Sequence, residues 1–117
     1  MIRLKRVYEK PGTNDGLRIL VNRVWPRGIR KERARIAEWR KDLAPSSSLR
    51  KWCSHDSNKW GGFHQRYRKE LANPEHREAL KDLARLSHQK SITLVYSAAD
   101  EEHNQAVVLK KIMEELA

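Results

Sequence analysis

Two apolar runs constrain this chain more than any other feature. Residues 17–24 (LRILVNRV) and 91–97 (SITLVYS) are nearly continuous in aliphatic and β-branched side chains, without the strict alternation of a strand wetted on one face. Such runs suit strands covered on both faces, the usual condition in a parallel sheet. The first run stops at Trp25-Pro26, because proline brings no donor to a ladder. Residues 2–8 (IRLKRVY) read as an earlier strand, set apart by the turn-forming stretch EKPGTNDG at 9–16.

The long stretch between the two runs has helical spacing. Residues 34–43 place Ile36, Trp39 and Leu43 at i, i+3 and i+7 and end before Pro45. Ser46, Ser47 and Ser48 supply capping oxygens for a short helix through Leu49 and Trp52. Asp56 or Ser57 can cap the next helix, with an apolar stripe of Trp60, Phe63, Tyr67 and Leu71; Gly61-Gly62 weaken its first turn. Asn73-Pro74-Glu75 is a restart signal of capping side chain, proline at the first helical position and an early acid. That helix buries Leu80, Leu83 and Ala84. A long terminal helix is expected over 100–116, with its stripe at Val108, Leu109, Ile112, Met113 and Leu116.

The expected fold class is therefore α/β: a small, mostly parallel sheet of about three strands, with a helical insert and a long C-terminal helix. The insert can serve as the crossover that parallel strands need. At 117 residues and 38% hydrophobic, residues 1–117 are expected to form a single domain with a modest core. No apolar stretch has the length of a membrane span, and residues 1–6 lack the apolar region of a signal peptide. The lone Cys53 excludes an internal disulfide and fits a reducing, cytoplasmic setting.

Net charge is +10, from 25 Lys plus Arg against 15 Asp plus Glu, and it is unevenly spread. Residues 1–50 carry fourteen basic and five acidic groups, whereas residues 91–117 carry two and five. The excess peaks between Arg18 and Arg40 and is mostly arginine, whose planar fork suits phosphate or carboxylate. A solvated, solubilising surface is the plain alternative for the run as a whole.

In parallel sheets ligands bind beyond the carboxyl ends of the strands. Here those ends read Arg23, Trp25, Pro26, Arg27 and Gly28 after one run, and Tyr96, Asp100 and Asn104 after the other. Arg23 and Arg27 are candidate anion contacts, Trp25 a wall, Gly28 a close backbone approach, and Tyr96 with Asn104 orienting groups. Asp100 at the expected helix start offers a positive dipole end, although the acids at 100–102 can satisfy that dipole themselves. His103 is the one candidate proton carrier at this rim, and a solvated surface histidine is the alternative. The expected partner is a small anionic ligand. The competing reading is a nonspecific nucleic-acid-binding module using Arg30, Lys31, Arg33 and Arg35 within the arginine-rich 23–40 segment, and a third is an acidic protein partner.

Other chemistry lacks support. Cys53-Ser54-His55-Asp56 would need further ligands from His64, His76 or His103, none at a zinc-site spacing, so no metal is expected. Cys53 and His55, at i and i+2, do not face each other on a helix. No phosphate loop, dinucleotide fingerprint, nucleophile elbow or zincin motif is present, and no cofactor is expected.

The segments LRILVNRVWPRG, EWRKDLAPSSSLRKW, HDSNKWGGFHQRYRKEL and ITLVYSAADEEHNQAVVL together resemble the domain-of-unknown-function 488 family, YeaO-like branch, over roughly residues 2–113. The resemblance implies a fold and brings no reaction with it. Three departures from that pattern stand out. Asn22 replaces the branch's usual aspartate beside Arg23. Asn104-Gln105-Ala106 stands where longer relatives carry Cys-His-Arg. Tyr96 stands where they often carry cysteine. Thiol or metal chemistry in those relatives therefore does not transfer to this chain.

Overall fold

A computed structural model describes residues 1–54 and 56–116. Four strands, β1 (Ile2–Arg6), β2 (Leu17–Leu20), β3 (Glu38–Trp39) and β4 (Ile92–Tyr96), form one sheet in the order β1-β4-β2-β3. Every pairing is parallel, with Ile2 opposite Ile92, Leu17 also opposite Ile92, and Ile19 opposite Glu38. The expected parallel neighbours β2 and β4 are thus adjacent. All five residues of β4 are buried, as its unbroken apolar sequence requires.

The two faces of the sheet are covered differently. Ile19, Val21, Ile92, Leu94 and Tyr96 point into the larger core, beneath α2 (Ser47–Cys53), α3 (Trp60–Glu70), α4 (Pro74–Gln89) and α5 (Gln105–Leu116). On the opposite face Val7, Leu20 and Val95 form a small cluster, joined by Trp25, Ile29, Ile36 and Trp39. Among the described residues that face is covered by a four-residue helical turn, α1 (Lys31–Ala34), and by loops. Because β1 and β2 flank β4, the 7–16 connection must cross β4, and buried Val7 marks this loop-covered face as its route.

The helix starts follow local chemistry. Ser46 Oγ accepts from the Leu49 amide at 3.1 Å and caps α2, and Asn73 Oδ1 accepts from the His76 amide at 2.9 Å and caps α4. Of the two glycines of α3, Gly62 has a packing role: a Cβ there would stand 2.7 Å from Trp52 Cη2, whereas Gly61 has nothing within 4 Å. Within α3, Tyr67 is fully buried and its hydroxyl donates to the Leu43 carbonyl.

Two helical expectations require correction. Residues 34–43 do not form one helix. Arg35 takes a left-handed backbone (φ 51°) that ends α1, the chain extends into β3, and Lys41–Leu43 is a single 3₁₀ turn. The amides of Ala37 and Arg40 donate to the carbonyls of Arg18 and Leu20, both at 2.8 Å, so sheet pairing takes the backbone donors that a helix would use. Ile36 and Trp39 join the loop-side cluster while Leu43 enters the larger core, so their helical spacing does not describe one face. The terminal helix begins at Gln105 instead of residue 100. Asn104 Oδ1 caps it from the Val107 amide at 3.1 Å, and Asp100 caps a separate turn through the amides of Glu102 and His103.

Two glycines with positive φ give a discriminating test of these loops. Gly16 (φ 64°) opens β2, and a Cβ there would stand 2.1 Å from the Ser91 carbonyl oxygen; Gly28 (φ 80°) has nothing within 4 Å. Gly28→Ala should cost only left-handed strain, about 1 kcal/mol. Gly16→Ala adds a backbone clash and should cost about 3 kcal/mol or more. Urea denaturation of the two variants measures the difference, and equal costs would contradict the close approach at Gly16.

Candidate functional site

The strand ends are closed by their own side chains. Asn22 Nδ2 donates to Ser97 Oγ at 2.6 Å, Gln105 Nε2 donates to Asn22 Oδ1 at 3.0 Å, and Trp39 Nε1 donates to the Asn22 carbonyl at 2.7 Å. Arg23 donates from Nε to the Pro45 carbonyl at 2.8 Å and from Nη2 to the Ala44 carbonyl at 3.1 Å, pinning the segment before α2. Trp25 Nε1 donates to the Ile29 carbonyl at 2.7 Å, and its ring meets Trp39 edge-on at 5.4 Å. Tyr96 belongs to the helix-side core, and burial pushes its hydroxyl above the usual pKa.

Of the remaining residues singled out from sequence, Asp100, His103 and Asn104 lie together, with the Asn104 side chain beside the Tyr96 hydroxyl. Asn104 is buried and donates from Nδ2 to the Asp100 carbonyl at 2.9 Å while capping α5. His103 is exposed, with Nδ1 2.9 Å from Asp100 Oδ2 and its ring edge-on to Trp60 at 5.0 Å. Hydrogen bonds from that ring and from two amides hold Asp100 below its ordinary pKa. Arg27 is exposed, and its backbone carbonyl accepts from the Tyr8 hydroxyl at 3.1 Å. The structure therefore brings Tyr96 and Asn104 together, while Arg23 turns to the Ala44–Pro45 segment and Arg27 lies beside Tyr8. The Cys53–His55 pairing falls on His55, which lies outside the described residues. Among the described residues no three His, Cys, Asp or Glu side chains form a group able to hold a metal.

An open groove of about 1040 Å³ lies instead between the loop after β1 and the segment around α1. One side is formed by residues 7–13, including Tyr8, Lys10 and Gly12, and the other by Gly28–Arg30 and Glu32–Arg35. Gly28 and the alternative set's Arg30, Arg33 and Arg35 thus share one concavity, while Lys31 is exposed outside its lining. Arg30, Arg33 and Arg35 are exposed, and none makes an ion pair among the described residues. Glu9 and Glu32 also line the groove, leaving cations in excess.

A buried ionic cluster ties its two sides together. Asp15 is 5% exposed and receives Lys5 Nζ at 3.0 Å, Arg18 Nη1 at 2.6 Å and the Gly12 amide at 2.9 Å. Arg18 Nε donates to the Ala34 carbonyl at 2.9 Å, so Asp15 and Arg18 together link Gly12 on one side to Ala34 on the other. Thr93 Oγ1 donates to the Asp15 carbonyl at 2.6 Å and joins the cluster to β4. Burial by itself raises the Asp15 pKa, but bonds from Gly12, Lys5 and Arg18 outweigh it and hold the carboxyl below its ordinary value.

Sequence reasoning missed this cluster, reading Asp15 as part of a turn and Arg18 as part of a surface charge run. The available signal was a charged residue inside a strand covered on both faces, which calls for a buried partner.

The family model described as "Inactive DUF488-N3 subclade" matches residues 1–117. The Uncharacterized protein YeaO of Escherichia coli (strain K12) is 41% identical over 108 residues, covering 92% of this chain and 92% of that protein. The Uncharacterized protein Rv3073c of Mycobacterium tuberculosis (strain ATCC 25618 / H37Rv) is 38% identical over 112 residues, covering 96% of this chain and 92% of that one. No solved structure matches.

The Asp15 cluster makes stability depend on acid pH. Its folded pKa lies below the unfolded value, which is about 4. Its contribution is therefore present above about pH 4 and is lost as pH falls through the folded value. Asp15→Asn leaves two cations without their carboxylate and should cost about 3 kcal/mol at neutral pH. Denaturant unfolding between neutral and acid pH should show a shallower loss for the variant, whereas parallel curves would contradict the assignment.

Proposed function

We propose, from the premise that this chain belongs to the family described as the inactive DUF488-N3 subclade, that it is a non-catalytic protein whose basic groove holds a small anionic or phosphorylated ligand. The observation that carries this reading is the meeting of Arg30, Arg33 and Arg35 in one open groove, with no acidic partner for any of them among the described residues. Exposed guanidinium groups in a concave wall suit oxyanions, which they can bind through paired parallel hydrogen bonds. Gly28 leaves its part of the wall bare, and Tyr8 and Ile29 give it an apolar surface.

This reading moves the ligand away from the strand ends. There Arg23, Asn22, Gln105 and Asn104 have protein partners, and a ligand would have to displace them. It also leaves His103 without a chemical role, since its ring is paired with Asp100 at the start of a turn. Among the described residues no helix is long and apolar enough to cross a membrane. Cytoplasmic residence is part of the proposal and is supported by the lone cysteine.

A thermal-shift screen tests the reading, because a ligand for the native state raises the apparent stability. Nucleotides and sugar phosphates near saturation should raise the melting temperature by about 5 °C or more. Arg30→Ser/Arg33→Ser should remove most of that shift without lowering the melting temperature of the free protein. A shift given only by oligonucleotides, and lost steeply with added salt, would favour the nucleic-acid reading through the same arginines. No shift with any anion would overturn both.

A further inference from the structure

The ionic cluster beside the groove has an uneven charge balance. Lys5 and Arg18 are both paired with Asp15, and neither has a second acidic partner among the described residues. One carboxylate thus faces two cations. Arg18 is 4% exposed, and its Nη2 is the one buried side-chain nitrogen or oxygen among the described residues without a hydrogen-bond partner. A surplus cation away from water is costly, and a nearby anion offsets it.

The cover over this charge is thin. Gly12 lines the groove, and the position its Cβ would take is 3.3 Å from both Lys5 Nζ and Asp15 Oδ1. The Lys5 side chain remains 23% exposed, so its ammonium can turn toward a ligand without leaving the cluster. Ala34, whose carbonyl holds Arg18, lines the other side. Arg30, Arg33 and Arg35 stand further out on that side. Positive charge therefore stands at two depths, Lys5 and Arg18 behind the Gly12–Ala34 end and the exposed arginines at the rim.

We propose that Lys5 and Arg18, which stand behind the lining residues Gly12 and Ala34, act as the anion-recognising floor of the groove, and that its ligand is a compact polyanion of the diphosphate class. One charged group settles against Gly12, in contact with Lys5 and within the field of buried Arg18, and the second is held by the rim arginines. This inference rests on the groove reading and adds which end of the ligand is read, and by which residues. A monoanion would meet positive charge at only one depth, so the second charge is what selects the ligand.

Calorimetric titration of the full chain with inorganic pyrophosphate at constant ionic strength tests the floor. Lys5→Met should weaken binding about tenfold, the value of one charge-assisted hydrogen bond, while Lys5→Arg should stay within about threefold of wild type. Gly12→Ala keeps every charge but crowds the ammonium, and should also weaken binding. It serves as the test if Lys5→Met does not fold. Normal affinity in Lys5→Met or Gly12→Ala, together with lost binding in Arg30→Ser/Arg33→Ser, would overturn the floor and leave the groove reading standing. No saturable binding by wild type would overturn the floor and count against the groove as a site for this class.

Discussion

A single carboxylate organises the face of the sheet that is covered by loops and the short α1 turn. Asp15 is bonded to Lys5 of β1, to the Gly12 amide in the crossing loop and to Arg18 of β2, while its carbonyl receives Thr93 of β4. Arg18 extends the linkage to the Ala34 carbonyl. Three strands, the β1–β2 connection and the α1 segment therefore meet through one group of charged and polar atoms. On this side the apolar contribution is small, with Val7, Leu20 and Val95 as the buried cluster. The helix-covered side is the reverse case, a broad core that includes Tyr67, Leu80, Leu109 and Met113. Buried ion pairs are weak sources of stability compared with well-packed apolar groups, but breaking one is expensive. The cluster's main consequence is geometric: it fixes the spacing of the loops that border the groove.

Legibility from sequence followed the physics of each element. The buried strands were visible because complete burial leaves an unbroken apolar run, and their parallel pairing followed from the length of the intervening insert. The caps at Ser46 and Asn73 were visible because a capping side chain acts within three residues of itself. The 34–43 segment misled because Ile36, Trp39 and Leu43 have helical spacing but pack in two different layers. Sheet pairing with Arg18 and Leu20 decided its conformation, and that partner is remote in sequence. The start of α5 was placed too early because Asp100 and Asn104 are both good caps, and nothing local says which one begins the helix.

The sequence shows the arginine excess but not how the fold divides it. The arginines of the N-terminal half divide by role in the fold. Arg18 is buried in the cluster, Arg23 holds two carbonyls, and Arg40 is paired with Asp42 and Glu38. Arg30, Arg33 and Arg35 are left exposed beside Gly28 in the groove. Only the tertiary structure separates cations already used in folding from those still available. Where the sequence resemblance associates cysteine and Cys-His-Arg residues with longer relatives, this chain has Tyr96 and Asn104-Gln105-Ala106. What the sequence offers in their place is an Asn22–Ser97–Gln105 network whose polar atoms bind one another.

The central claim is that anions bind on the loop-covered face, over the Asp15 cluster, and not at the strand ends. Its most direct test is nitrogen–proton NMR of the labelled protein during pyrophosphate addition, following backbone amides together with the Nε–H signals of arginine. The account predicts saturable shifts at Gly12, Ala34, Arg35 and Arg18 Nε–H, with the Asn22 and Gln105 side-chain amides unmoved. Shifts centred on Asn22, Ser97 and Gln105, with the Gly12 and Arg18 signals unchanged, would contradict it.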